Sequence, residues 1–100
     1  MAKTTTTLFD AADYLNSDEA RLEYLRLAMQ EAIDDNDPSL FTDALNTVVR
    51  SGNVSALAKQ AGLSRAGVYK ALSDDTRPAF DTVARIVSAL GYRIQVTAAG

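Results

Sequence analysis

Apolar residues recur at intervals of three and four along most of this chain, the period of helices that bury one face. Leu8 or Phe9, Ala12 and Leu15 mark a short first helix, preceded by an arm, Met1 to Thr7, that has no periodicity. Asn16-Ser17 offers a cap for a longer helix running to about Ile33, with Asp18 and Glu19 in its first turn where the helix dipole favours negative charge. Leu22, Leu25, Met29 and Ala32 form its seam, and Tyr24 and Leu27 widen it beyond what one narrow contact needs. Asp37-Pro38 starts the next helix with an N-cap and a proline at the first helical position, and Leu40, Phe41, Ala44, Leu45, Val48 and Val49 give it an inner face. Ser51-Gly52-Asn53 closes that helix. After Leu72 a turn, Ser73 to Pro78, leads to a helix with Phe80, Val83, Ile86, Val87 and Leu90 inward, ended by Gly91. Tyr92 to Thr97 then alternates with a period of two, which predicts a strand. The chain holds no second strand for it, so Tyr92, Ile94 and Val96 are expected to meet a second copy or another protein, with a short extended tail lying against the helices as the competing reading.

Between these helices lies the most telling stretch, Val54 to Leu72. Leu57, Ala58 and Ala61 share one helical face, and Ala58 is small enough to let a second helix cross closely. Gly62 supplies a left-handed residue that ends the helix, and Leu63 can turn in to plug the angle. Ser64 caps a second short helix whose inward stripe is Val68 and Leu72, with Ala71 beside it. Its outward stripe is then Arg65, Ala66, Tyr69 and Lys70. This pattern predicts a helix-turn-helix, whose second helix reads base edges while hydroxyl, amide and cationic groups meet phosphates. Arg65 and Lys70 would meet guanine edges or phosphates, Tyr69 and Ser64 would donate to phosphate or contact bases, and Asn53 and Ser55 would anchor the backbone. An ordinary helical hairpin with a glycine turn is the competing reading of the same residues.

Composition bounds the rest. One hundred residues, 47% of them hydrophobic, suffice for a single modest core. The absence of Cys and His excludes disulfides, thiolate or imidazole zinc sites and histidine-based triads. Asp34-Asp35 and Asp74-Asp75 read as caps and solvated turns, no glycine-rich phosphate loop occurs, and neither an enzyme nor a cofactor is expected. No apolar run approaches the ~20 residues of a membrane span, and the threonine-rich start lacks a signal peptide's apolar segment, so a soluble cytoplasmic protein is expected. The formal charge of −3 is unevenly placed. Residues 1–50 carry ten acids and four bases, a net of −6, whereas residues 51–100 carry three acids and six bases, a net of +3. Two partners of opposite sign would suit that division; two solvated helix faces are its plainer explanation.

Three blocks carry a resemblance: Phe9-Asp10-Ala11-Ala12-Asp13-Tyr14-Leu15; Leu57 to Arg65 with Val68-Tyr69-Lys70-Ala71-Leu72; and Pro78-Ala79-Phe80-Asp81-Thr82 with Ala89-Leu90-Gly91. In their order and spacing the chain resembles the Xre-type, lambda-repressor-like helix-turn-helix antitoxins of addiction modules, close to the HigA group. Arg77 departs from the asparagine common before the loop proline, and could contact phosphate or pair with Asp74 or Asp75.

The resemblance implies an all-α, lambda-repressor-like bundle with an N-terminal helical extension and a short C-terminal β-strand. Within a single domain the expected parts are an arm at 1–7, the extension at 8–36, the helix-turn-helix core at 37–91, and the strand and tail at 92–100. It further implies a homodimeric antitoxin that neutralises a RelE-superfamily toxin and represses its own operon by binding double-stranded operator DNA. On this reading the DNA set is Asn53, Ser55, Ser64, Arg65, Ala66, Tyr69, Lys70 and Arg77. The acidic set Asp18, Glu19, Glu23, Glu31, Asp34 and Asp35 would cover a cationic toxin surface. A prophage-type repressor without a toxin, or a non-catalytic protein- or RNA-binding adaptor, are the alternatives.

Overall fold

The computed structural model describes residues 15–73 and 77–99, and among them five helices and no strand. They are α1 (Asp18–Asp34), α2 (Ser39–Arg50), α3 (Val54–Ala61), α4 (Arg65–Ala71) and α5 (Phe80–Ala89). The expected arm and most of the expected first helix, up to Tyr14, lie outside the described residues.

Short side chains set the starts of the helices. Ser17 accepts a hydrogen bond from the Ala20 amide (3.1 Å), Asn53 from Ala56 (3.0 Å) and Ser64 from Gly67 (2.9 Å), each satisfying a donor that the first turn leaves open. At α2 the flanking residue is Pro38, already at helical angles (φ −59°, ψ −21°) and unable to cap. Asp37 does so instead, its carboxylate accepting from the Ser39 amide (3.2 Å) and hydroxyl (2.6 Å).

Three helices stop by one device, a left-handed residue past the last turn. Gly62 (φ +75°) ends α3 as the Leu63 amide returns to the Ala58 carbonyl, and Gly91 (φ +94°) ends α5 as Tyr92 returns to Val87. Asn36 (φ +53°) does the same for α1, with Asp37 returning to Ala32; asparagine is among the few side chains that accept this conformation.

The core joins all five helices. Leu45, Val48, Val68, Leu72 and Ile86 are its fully buried side chains, with Leu25, Leu57, Ala58 and Val87 around them. α1 packs chiefly on α2, while α3 packs on α4 and α5. Of the predicted inner faces, Ala44, Leu45, Val48 and Val49 on α2, Leu57, Ala58 and Ala61 on α3, and Val68 and Leu72 at α4 are buried, whereas Leu40 and Phe41 at the start of α2 are only partly covered.

Three expectations need correction. On α1 only Leu25 and Ala32 are buried, and Leu22 and Leu27 are exposed, because one neighbouring helix covers one stripe and leaves the remaining apolar surface outside. On α5, Phe80 sits at the first residue, beyond the reach of the packed face, and is 71% exposed.

The C-terminal strand is absent as well. Residues 92–99 carry neither helix nor strand, because every other described element is a helix whose backbone groups are already paired and offer no edge. Nor do Tyr92, Ile94 and Val96 share one side. Tyr92 packs against the core and its hydroxyl donates to the Asp18 carbonyl (3.4 Å), Ile94 is partly covered, and Val96 is 92% exposed.

Candidate nucleic-acid interface

α3, the turn at Gly62 and α4 form one rigid unit because its inward residues are all held by the core. Val54, Leu57, Ala58 and Ala61 are buried on α3, Val68 and Leu72 on α4, and Leu63 packs between them as the turn pattern predicts. Burial of Val68 and Leu72 turns the opposite face of α4 outward. Arg65, Ala66, Tyr69 and Lys70 are accordingly all exposed, together with Ser64 at the helix start. Asn53 and Ser55 are exposed at the start of α3, so seven of the eight residues expected to meet DNA lie on this unit's surface.

Two of those seven already have structural work. The carboxamide oxygen of Asn53 and the hydroxyl of Ser64 accept the cap hydrogen bonds of α3 and α4, so each couples any outside contact to the stability of its helix. Gly67 serves that second cap. A Cβ on it would lie 3.0 Å from the Ser64 hydroxyl oxygen, which explains a poor helix former inside so short a helix.

Arg77 falls elsewhere. It is exposed and lines a groove of about 830 Å³ with Met29, Ile33, Phe41, Phe80 and Ile94, to which none of Arg65, Ala66, Tyr69 and Lys70 contributes. Periodicity assigns most of these groove residues to the core. Nothing in the sequence distinguishes them from residues that do become buried.

Charge follows the same division. Between Asp43 and Asp74 the sequence carries four bases (Arg50, Lys59, Arg65, Lys70) and no acid, and this stretch contains the whole α3–α4 unit. Between Arg26 and Arg50 it carries five acids (Glu31, Asp34, Asp35, Asp37, Asp43) and no base. The acidic residues expected to act together on α1 do not converge. Asp18 pairs with Arg21 (2.9 Å) and Glu23 with Arg26, while Asp34 accepts from Gln30 (3.0 Å). Asp18 and Asp34 stand at opposite ends of α1, ~24 Å apart along its axis. Arg21 also donates to the Leu15 carbonyl (2.8 Å). Its pKa is raised, chiefly by the hydrogen bond to Asp18 and further by Tyr92, so it stays cationic and fastens the chain before α1.

Among the described residues no group of His, Cys, Asp and Glu is placed to hold a metal ion, and no helix is long and apolar enough to cross a membrane. Residues 5–98 match the model of the family described as "probable addiction module antidote protein". The chain belongs to this family. A relative in Haemophilus influenzae, described as an uncharacterized protein, is 38% identical over 88 residues, covering 88% of this chain and 87% of that protein. No solved structure matches the chain. An antidote in an addiction module implies a toxin, and therefore a protein partner beside any nucleic acid.

Proposed function

We propose that this protein is the antitoxin of a type II toxin–antitoxin module, of the Xre, HigA-like kind, that neutralises a RelE-superfamily toxin by direct contact and represses its own operon. The observation that carries the DNA half is the exposed row Arg65, Ala66, Tyr69 and Lys70, held across α4 from the buried Val68 and Leu72 on a stretch of four bases and no acid. A recognition helix requires that arrangement: a rigid back, and a polar, cationic front. Asn53, Ser55 and Ser64 flank it, and Arg77 would add a phosphate contact from outside the unit. A homodimer suits the motif, since two copies read two half-sites about one helical turn apart and gain affinity from both. The protein acts in the cytoplasm by binding alone, without catalysis or cofactor.

The toxin half rests on family membership and on the acidic first half of the chain. A ribosome-directed nuclease needs cationic surface to handle RNA, and acidic residues drawn from Asp18, Glu19, Glu23, Glu31, Asp34 and Asp35 cover such surface and speed encounter.

Gel shifts with the DNA upstream of the protein's own gene, titrated at several salt concentrations, test the DNA half. Arg65→Ala is expected to lose about 1–3 kcal/mol and to relax base preference at one position, as for a bidentate guanine contact. Lys70→Ala is expected to weaken all sequences alike and to shallow the salt slope by about one unit. Unchanged binding by both variants would remove this face from the site.

A further inference from the structure

Side chains on α1 contribute little to the innermost core. The five fully buried side chains, Leu45, Val48, Val68, Leu72 and Ile86, lie on α2, in or just past α4, and on α5. α1 is the longest helix among the described residues, yet it buries only Leu25 and Ala32, and it packs chiefly on α2. Its polar bonds close on itself: Arg21 to Asp18, Arg26 to Glu23 and Gln30 to Asp34 each span three or four residues. None of these is broken when the whole helix moves.

The boundary with α2 is as clean. α1 ends at the left-handed Asn36, and α2 is capped by the Asp37 carboxylate without help from any α1 side chain. At its other end α1 is clasped to the far end of the chain. The Tyr92 hydroxyl, 74 residues away, donates to the Asp18 carbonyl (3.4 Å) and also contacts Arg21, which in turn holds the Leu15 carbonyl (2.8 Å). Tyr92 packs against the core just past α5, so this clasp fastens α1 to the α5 end of the molecule.

We infer that α1 is a strap that opens from α2 as one unit about Asn36, with the Tyr92 clasp setting how often, while α2 to α5 stay folded. The inference stands apart from the antitoxin reading. Elements that move in regulation come from the less stable end of a structure, where few apolar side chains are buried. Residues 37–91 fall within the ~55–65 residues at which many domains fold alone. Opening uncovers Leu25, Ala32 and the α2 surface beneath them, an apolar site that the closed strap withholds. Arg65, Ala66, Tyr69 and Lys70 stay where they are, so a ligand that captures the open strap leaves the α4 face intact.

The test is native-state hydrogen exchange of the full chain, followed amide by amide at low urea concentrations. Amides from Leu22 to Asp34 are expected to share one opening equilibrium, at least ~10-fold more favourable than that of Val68 and Ile86. Its urea dependence should be shallower, because less surface is exposed. Ile86→Val separates the strap from global unfolding. Open and closed states share the core around Ile86, so core exchange should quicken about 2–10-fold while α1 exchange keeps its wild-type rate. Tyr92→Phe should quicken α1 exchange about 5-fold, since the clasp exists only in the closed state. Exchange of α1 at the core's own rate, quickened equally by Ile86→Val, would overturn the strap. Protection that declines residue by residue from the ends of α1 would overturn it as fraying. α1 amides without protection would do so too, because a strap spends most of its time closed. An α1 rate unchanged in Tyr92→Phe would overturn the clasp. Were Ile86→Val to unfold, the urea dependence of the wild type decides alone.

Discussion

Replacing Gly62 by alanine isolates the backbone term that lets α3 and α4 meet as they do. Gly62 sits at φ +75°, and a Cβ built on it would find no atom within 4 Å, so the substitution brings strain without a clash. A left-handed L-residue costs roughly 1–2 kcal/mol. Alanine also restricts the unfolded chain, which returns about 0.4–1 kcal/mol. The net expectation is ~1 kcal/mol of destabilisation, or a midpoint ~4–8 °C lower in a thermal melt followed by circular dichroism.

Gly52 provides the matched control. Its surroundings are equally open but its φ is not positive, so Gly52→Ala has only the unfolded-state effect and should be neutral or stabilising by up to about 1 kcal/mol. Gly62→Asn separates conformation from size. Asparagine is larger than alanine yet accepts this conformation, as Asn36 does in the same chain at φ +53°. It should therefore fall between glycine and alanine, within about 0.5 kcal/mol of the wild type. An asparagine variant less stable than the alanine one, or a Gly52→Ala loss equal to that of Gly62→Ala, would refute the conformational account of the turn.

Other outcomes follow from the same geometry. Ser64→Ala should lose about 1 kcal/mol with the cap, and Gly67→Ala should show little of its ~1 kcal/mol helix gain because the Ser64 hydroxyl stands 3.0 Å from the new carbon. The double variant recovers that gain, so a urea-denaturation cycle should be visibly non-additive; additive values would mean that the two residues do not interact. Leu45→Ala, at a fully buried site, should cost about 2–5 kcal/mol, whereas Phe80→Ser should stay within ~0.5 kcal/mol of the wild type by the same measurement. Tyr92→Phe removes the long hydrogen bond to the Asp18 carbonyl and the hydroxyl's contact with Arg21 and should cost about 1 kcal/mol; a much larger loss would show that the tail is fastened more firmly than these contacts imply.

What depends on residues within five positions of each other was largely legible in the sequence. Ser17 and Ser64 cap where the pattern places them, and Gly62 and Gly91 end α3 and α5, because each contact is closed between near neighbours in the chain; Asn53, read as part of a closing turn and a DNA contact, also caps α3. The inner faces of α3 and α4 and most of that of α2 were legible for a related reason: a narrow apolar stripe can be buried in only one way, and only Leu40 and Phe41 at the start of α2 depart from it. That stripe turned Arg65, Ala66, Tyr69 and Lys70 outward on α4 before any contact was known.

Periodicity alone left α1, Phe80 and the tail undecided. α1 carries more apolar surface than one neighbour covers, so whether Leu25 or Leu22 goes inside depends on where α2 lies, not on their spacing. Alternation at Tyr92, Ile94 and Val96 favours a strand, but a strand exists only against another, and a bundle of helices presents no edge. The groove belongs to the same class, since Met29, Phe41, Phe80 and Ile94 come from separate segments and meet only when α1, α2 and α5 are in place. Sequence by itself thus determined the helices, their caps and the exposed face of α4, because those are local. Tertiary packing decided which apolar side chains were left outside, because that depends on the relative positions of whole elements.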